Sequence, residues 1–250
     1  MLKKYLLAIS LLMLSSHALS AGTLRVGMSA DYPPLDFKQA GRYVGIEADN
    51  ATAVGEILSR KVEIVELPFD ELIPALESGK VDVLMSGLSV TAQRSQQVQF
   101  TDPYMRVGQM AIMHKSKLGR FSQPWSVYRE GVRIGVEPGT TGAAFAEREL
   151  QDAKLSFFAN SDEAFQGLRK DVIDLYIHDA PTSWQLANGK ENGDLISLYS
   201  PLTEEMLAWA VAIGNDALAA DLNRALQLMQ SNGTLQYILN RWIPVTVEVQ

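Results

Sequence analysis

Short apolar runs alternate with amphipathic stretches along most of the chain. Residues 24–28, 62–67 and 81–85 are typical of buried strands, while residues 47–58 and 69–78 place apolar side chains at helical spacing. Strands that alternate with helices predict an α/β protein with mostly parallel sheets.

This pattern occurs twice. The run 24–28 (LRVGM) recurs as residues 132–136 (VRIGV), and residues 62–87 resemble the segment that ends at Asp179, so that Asp82 falls on Asp174. Any two strand–helix–strand units look alike, but two units in the same order indicate two lobes of like topology.

The segments after the second repeat complete the chain. They comprise a predicted strand at 206–213 and predicted helices at 216–230 and 235–242. Since they have no counterpart between the two repeats, we predict that they return to the first lobe. Lobe one is then 23–108 plus 200–250 and lobe two is 109–199, with a hinge at the crossing segments 107–113 and 198–206.

The N-terminus has a different composition from the rest. Lys3 and Lys4 precede an apolar run at 5–14 and small polar residues up to Ser20. This arrangement is typical of a secretory signal peptide over residues 1–20, because the apolar run is too short to span a bilayer. We therefore predict export to the periplasm.

Composition narrows the possible functions. The chain has no cysteine, so it offers no disulfide framework, no thiolate metal site and no cysteine for a lipid anchor. Its formal net charge of −7 repels nucleic acid and anionic membranes. His17, His114 and His178 form no cluster in the sequence, and neither a metal site nor a cofactor is predicted.

Ligands of parallel α/β sheets bind beyond the carboxyl ends of the strands, where helix N-termini present free N–H groups. Those ends are 29–32 and 86–89 in lobe one, and 137–142 and 179–182 in lobe two. If the lobes face each other, these four segments line one cleft.

Arg94 closes a polar run that begins at Ser86. Ser86, Gly87 and Ser89 would let a ligand approach the backbone, and Arg94 adds a planar set of donors suited to a carboxylate. Taken alone, Arg94 would be a surface arginine on the first turn of a helix. Its place beside the predicted cleft favours ligand binding.

The other candidate residues each have a structural alternative. Thr140 and Thr141 precede a predicted helix, which they either cap or use to hold an anion. Asp179 caps the helix that follows it, pairs with a ligand ammonium group, or does both. Tyr32 and Phe69 follow strand ends and either stack on a ligand or pack in the core.

Two longer motifs carry a family resemblance. Residues 87–94 (GLSVTAQR) and 98–104 (VQFTDPY) resemble the signature of the polar amino-acid-binding proteins of ABC importers, bacterial extracellular solute-binding family 3. Matching motifs at 32–34, 69–76 and 139–141 extend the resemblance along the chain. It implies a two-lobed periplasmic-binding-protein-like fold of type II, and a monomer that passes a bound amino acid to ABC transporter permease subunits.

The same resemblance implies roles at the two ends of the ligand. By similarity to the lysine/arginine/ornithine and histidine binders, Arg94 would hold the α-carboxylate with Ser89 and Thr141, and Asp179 would hold the α-ammonium. Tyr32 would enclose the ligand side chain together with Phe69.

The chain departs from the basic-amino-acid binders at two positions. Ser29 stands where those proteins carry an aspartate for the distal charge of the ligand. Glu137, on a loop where they have an apolar residue, either substitutes for that aspartate or faces water. The side chain of the ligand is therefore left open by the sequence.

Two other functions use the same fold. Cyclohexadienyl dehydratases resemble it, but residues 181–183 (PTS) lack the acid that those enzymes carry shortly after the aspartate equivalent to Asp179, which leaves Glu137 as the proton donor. A ligand-sensing module is the second alternative, and no transmembrane or kinase segment follows the repeats to support it. We predict a binding protein rather than an enzyme.

Overall fold

The computed structural model describes residues 22–188 and 192–243. The predicted signal peptide at residues 1–20 lies outside the described residues, as does the end of the chain after residue 243. Among the helices of the described part, none combines the length and the apolar character needed to cross a bilayer.

Strands and helices alternate over both halves of the chain. The strands are β1 (Leu24–Met28), β2 (Asp31–Tyr32), β3 (Asp36–Gln39), β4 (Arg42–Val44), β5 (Val62–Glu66), β6 (Val83–Leu84), β7 (Val98–Phe100), β8 (Met105–Val107), β9 (Gln109–His114), β10 (Arg133–Val136), β11 (Lys154–Phe157), β12 (Leu175–Asp179), β13 (Leu195–Ser197), β14 (Glu205–Leu207) and β15 (Ala210–Ala212). The α-helices are α1 (Ile46–Ile57), α2 (Leu72–Glu77), α3 (Leu118–Phe121), α4 (Thr141–Glu149), α5 (Ser161–Arg169), α6 (Ala180–Asn188), α7 (Asp216–Ser231) and α8 (Thr234–Trp242).

Two five-stranded sheets form the centres of two lobes. Lobe one has the strand order β5-β1-β6-β15-β7 and lobe two the order β11-β10-β12-β9-β13. In each sheet the fourth strand in this order is antiparallel to both neighbours, and the other four strands run in one direction. The shared topology confirms the predicted two-lobed α/β fold.

The internal repeat is visible in two equivalent ion pairs. Arg25 on β1 donates its backbone N–H to Asp82 at 2.8 Å and its guanidinium Nη2 to the same carboxylate at 2.6 Å. Arg133 on β10 makes the same two bonds to Asp174, at 3.1 and 2.7 Å. Each pair joins a central strand to the residue that precedes the neighbouring strand of the same sheet, β6 in lobe one and β12 in lobe two. This equivalence explains the alignment of Asp82 with Asp174.

Apolar clusters cover both faces of each sheet. In lobe one, α1, α7 and α8 pack on one face and α2 on the other. In lobe two, alternation along β12 places Leu175 and Ile177 in one cluster and Tyr176 in the other. Burial on both faces is the reason that these strands appear in the sequence as continuous apolar runs.

The structure differs from the predicted elements at two points. The single strand predicted at 206–213 is two strands, β14 and β15, separated at Trp209, whose ring is fully buried and whose indole N–H donates to Glu47 at 3.0 Å. The helix predicted at 69–78 begins with a 3-10 turn, Phe69–Glu71, before α2 starts. Pro74 is tolerated there because it lies in the first turn of α2.

The crossing segments lie side by side. β8 and β14 form an antiparallel pair in which Glu205 is opposite Val107, and each strand connects the two sheets along the chain. Gln109 begins β9 directly after the first crossing. The lobe boundaries at 108 and 200 and the hinge motion itself stay predictions.

Candidate ligand-binding cleft

The strand ends of both lobes meet at one cavity. Its walls are formed by Ser29, Asp31, Tyr32, Phe69, Gly87, Ser89, Arg94, Gln109, Glu137, Thr140, Thr141, His178 and Asp179. The space enclosed among these side chains is only about 30 Å³, roughly the room needed by two water molecules. The two lobes therefore touch each other at the site.

The loop after β6 is fixed from below by a buried carboxylate. Gly87 donates its backbone N–H to Glu47 at 2.9 Å, and Tyr104 donates its hydroxyl to the same carboxylate at 2.7 Å. Gly87 has φ +61°, and a Cβ there would lie 2.5 Å from Leu35 Cδ1 and 2.8 Å from Tyr32 Cε1. Only glycine fits this position, so the backbone reaches the cavity wall.

Arg94 lies at the start of a 3-10 turn, Arg94–Gln96, and is 9% exposed. Its Nη1 donates to the carbonyl of Ser89 at 2.9 Å within lobe one, and its Nη2 donates to the carbonyl of Gly139 in lobe two at 3.0 Å. The guanidinium carbon lies 5.6 Å from the centre of the Phe69 ring. Burial lowers the pKa of Arg94, and the nearby carboxylates of Asp179 and Glu205 oppose that shift.

Asp179 ends β12 on the opposite side of the cavity and is also 9% exposed. Tyr32, from lobe one, donates its hydroxyl to Asp179 Oδ2 at 2.5 Å, and the Gln109 amide donates to Oδ1. Burial raises the pKa of Asp179, since the charged carboxylate has lost its water. Arg94 and Asp179 are thus opposite charges, both buried, each bonded across the cleft to a neutral group.

Thr140 and Thr141 mark the N-terminus of α4. Thr140 is the N-cap, because its hydroxyl oxygen accepts the backbone N–H of Ala143 at 3.1 Å. Thr141 donates its hydroxyl to Glu205 Oε2 at 2.7 Å. A threonine hydroxyl has one proton, so in this arrangement Thr141 faces the cavity without a free side-chain donor.

Ser86 lies beneath the cavity and not along its wall, which differs from its predicted place among the contacting residues. Its hydroxyl donates to Ser29 Oγ at 3.2 Å, and the Ser29 hydroxyl donates to Asp36 at 3.0 Å. Asp36 is fully buried, and this burial raises its pKa to about 7. Ser29 does line the cavity.

The end of the cavity away from Arg94 is acidic. Asp31 and Glu137 line it from opposite lobes, and Glu137 accepts hydrogen bonds from the Tyr176 hydroxyl and from Ser161 Oγ. His178 Nε2 lies 3.7 Å from the same Glu137 oxygen. Partial burial raises the pKa of Asp31, and the charge of Glu137 adds to that rise.

Four contributors to the site were not predicted: Asp31, Gln109, His178 and Glu205. Asp31 and His178 each directly precede a predicted residue, and Gln109 lies in the predicted hinge segment, so the sequence marked their neighbourhoods. Glu205 lies in the second predicted hinge segment, 198–206. Among the described residues, no group of acidic residues and histidines is arranged to hold a metal ion.

Comparison with known proteins places these observations in a family. Residues 24–245 match the family described as bacterial extracellular solute-binding proteins, family 3. Over 97% of this chain and 100% of the relative, the sequence is 31% identical to ABC transporter arginine-binding protein 1 of Escherichia coli (strain K12). A solved structure of an ancestral arginine-binding protein bound to arginine is similar with a TM-score of 0.82 and 34% identity, covering 89% of this chain and 99% of that one.

One relative is an enzyme. The cyclohexadienyl dehydratase of Pseudomonas aeruginosa is 26% identical over 90% of this chain and 84% of its own length. The relatives of this chain therefore include an enzyme as well as binding proteins.

Proposed function

The chain belongs to the bacterial extracellular solute-binding proteins, family 3, and from this premise we propose that it captures an amino acid between its lobes for an ABC transporter permease. The observation that carries the proposal is the pair Arg94 and Asp179. Both are 9% exposed, and within residues 22–188 and 192–243 neither has an ion-pair partner. Buried charges without partners cost several kcal/mol each, and a zwitterion supplies both partners at once.

The ligand would replace contacts that the lobes now make with each other. At Arg94 the α-carboxylate takes the place of the Gly139 carbonyl, which the guanidinium now holds at 3.0 Å. At Asp179 the α-ammonium takes the place of the Tyr32 hydroxyl, now at 2.5 Å. The free backbone N–H groups at the start of α4 add donors for the carboxylate. The bound ligand would then bridge the two lobes and stabilise the closed form.

The acidic end of the cavity supports a ligand with a positively charged side chain. Asp31 and Glu137 line that end, and the adjoining groove of about 710 Å³ also includes Glu66 and Asp70. A guanidinium or ammonium group there would meet carboxylates from both lobes. These carboxylates would take the place of the aspartate that the basic-amino-acid binders carry at the position of Ser29. The names of the arginine-binding relatives agree with this choice.

We place the mature protein in the periplasm as a monomer, on the basis of the N-terminal sequence pattern and the family. The enzyme alternative has one feature in its favour, because Glu137 is a carboxylate in the cleft with Tyr176 and Ser161 as hydrogen-bond donors. Positions 182 and 183, by contrast, hold buried hydroxyl residues, of which Thr182 bonds to His178 at 2.9 Å. The test below therefore also measures conversion of prephenate.

The test is titration calorimetry on protein that has been unfolded and refolded to remove carried-over ligand. Arginine, lysine, glutamine and glutamate form the panel, with agmatine, which is arginine without its carboxylate, and prephenate. We expect arginine or lysine to bind and agmatine to fail. Binding only of glutamate, or conversion of prephenate, would overturn the proposal.

Arg94→Ala tests the anchor. Removing the guanidinium leaves the ligand carboxylate buried and unpaired, at a cost of about 2 to 5 kcal/mol of binding free energy. Arg106→Ala is the matched control, since Arg106 is exposed and pairs with Glu204 on the surface. Equal dissociation constants for the two variants would contradict the assignment of Arg94.

A further inference from the structure

Glu205, on the second crossing strand, accepts hydrogen bonds from several parts of the cleft. Its Oε2 accepts the Thr141 hydroxyl at 2.7 Å, and its Oε1 accepts the Gln109 amide at 3.1 Å and the Thr203 hydroxyl at 2.7 Å. Thr141 begins a helix of lobe two, and Gln109 begins a strand of that lobe. One carboxylate therefore joins the hinge to lobe two at the wall of the cavity.

The strand that carries Glu205 is bonded to lobe one. Val90 donates its backbone N–H to Met206 at 2.8 Å, and Ala208 donates to Leu88 at 3.1 Å. The segment 88–90 is the loop that leads to Arg94 and contains Ser89, whose carbonyl holds the guanidinium. Movement of Glu205 is thus coupled to the loop that positions Arg94.

The contacts also reach the other anchor. The Gln109 amide that donates to Glu205 also donates to Asp179 and lies 3.0 Å from Thr141 Oγ1. Glu205 therefore influences both ends of the site, through the loop to Arg94 and through Gln109 to Asp179. The charge of Glu205 also acts on Arg94, because the Glu205 carboxylate opposes the lowering of the pKa of Arg94 by burial.

We infer that Glu205 is a positioning residue that holds Thr141 and Gln109 in place when the lobes close, so that Thr141 acts on ligand affinity through Glu205 and not through its own hydroxyl. The inference rests on the proposed function. Its chemical basis is the single proton of the Thr141 hydroxyl, which is already donated to the Glu205 carboxylate. A ligand carboxylate at Arg94 would then accept hydrogen bonds from the backbone N–H groups at the start of α4 and not from the Thr141 side chain.

A double-mutant cycle measures this relation. Thr141→Val removes the hydroxyl and keeps the shape of the side chain, and Glu205→Ala removes the acceptor. Loss of a charge-assisted hydrogen bond corresponds to about 10- to 100-fold weaker binding of the amino acid that the panel identifies. If Thr141 acts through Glu205, the double variant binds about as weakly as Glu205→Ala alone.

Additive effects would overturn the inference. If the Thr141 hydroxyl contacts the ligand independently, the two fold-losses multiply in the double variant. Glu204→Ala is the matched control on the neighbouring residue, because Glu204 is exposed and pairs only with Arg106 among the described side chains. We expect its dissociation constant within about twofold of the parent, a typical outcome for a surface pair.

A second measurement needs no ligand. Small-angle scattering of the refolded protein should give an increase in radius of gyration for Thr141→Val and an increase at least as large for Glu205→Ala, because both variants lose the bond between Thr141 and Glu205 and the second also loses the bond from Gln109. Unchanged radii in both variants would overturn the inference even if no amino acid of the panel binds. If circular dichroism shows that Glu205→Ala does not fold, Glu205→Gln takes its place, with affinity and radius expected between those of the parent and Thr141→Val.

Discussion

Replacing Asp36 with asparagine should make the protein more stable at neutral and alkaline pH. Asp36 Oδ1 accepts the Ser29 hydroxyl at 3.0 Å and the backbone N–H of Ala30 at 3.1 Å, while Oδ2 is buried and has no hydrogen-bond partner among the described residues. Burial is the main cause of a pKa raised from 3.8 to about 7, and the carboxylate of Glu47 adds to it. Asparagine keeps the acceptor at Oδ1 and removes the buried charge.

The magnitude follows from linkage. A carboxyl group whose pKa is higher in the folded state contributes stability that is complete below about pH 4 and is lost as the pH rises through about 7. A difference of about 3 pKa units corresponds to about 4 kcal/mol. The advantage of Asp36→Asn over the parent should therefore grow by about 4 kcal/mol between pH 4 and 8 and then become constant.

Urea unfolding at pH 4, 5, 6, 7 and 8, followed by circular dichroism, measures this difference. Asp152→Asn is the control, because Asp152 is exposed on the surface of lobe two and should show no such trend. A difference between parent and Asp36→Asn that stays constant across this range would show that folding does not raise the pKa of Asp36, and the reasoning would fail.

The equivalent ion pairs and the loop glycine give two further predictions. Asp174→Asn should lower the free energy of unfolding by about 3 kcal/mol, because the Asp174 side chain is 1% exposed and its charge pairs with both Arg133 and Lys117. Asp82→Asn should lower the free energy of unfolding by about 1 kcal/mol, since that carboxylate is 22% exposed. Urea unfolding midpoints measure both changes. A larger loss for Asp82→Asn than for Asp174→Asn would contradict the argument. Gly87→Ala, which forces a Cβ to within 2.5 Å of Leu35 Cδ1 at φ +61°, should cost about 1 to 3 kcal/mol. Gly87→Ala should also weaken ligand binding. A melting temperature and a dissociation constant equal to those of the parent would contradict the close approach of the Gly87 backbone to its neighbours.

Those parts of the fold that depend on local pattern could be predicted from the sequence. Each strand–helix–strand unit buries its own apolar faces, so the alternation and its repeat follow from periodicity, and Arg94 and Asp179 follow from the position of strand ends. The sequence could not show whether a side chain that follows a strand points into the cavity or away from it. Ser86 is one residue from the wall-forming Gly87 yet points down to Ser29.

Contacts between distant segments could not be predicted. Glu205 meets Thr141 only because β14 pairs with β8 in a register that places Glu205 opposite Val107. That register depends on how the two crossing segments lie together, which no local pattern encodes. The break between β14 and β15 has a similar origin, since the indole of Trp209 turns inward to bond with Glu47, far away in the sequence.

The position of β15 within its sheet has a consequence for the order in which the protein is made. β15 lies between β6 and β7, although it is produced after the whole of the lobe-two sheet. A growing chain that has reached residue 199 holds every strand of lobe two, but its first hundred residues still lack an inner strand and the helices α7 and α8 that cover their apolar face. All five strands of lobe two thus lie within one continuous stretch of the chain, residues 109–197, whereas the sheet of lobe one needs segments from both ends of the described chain.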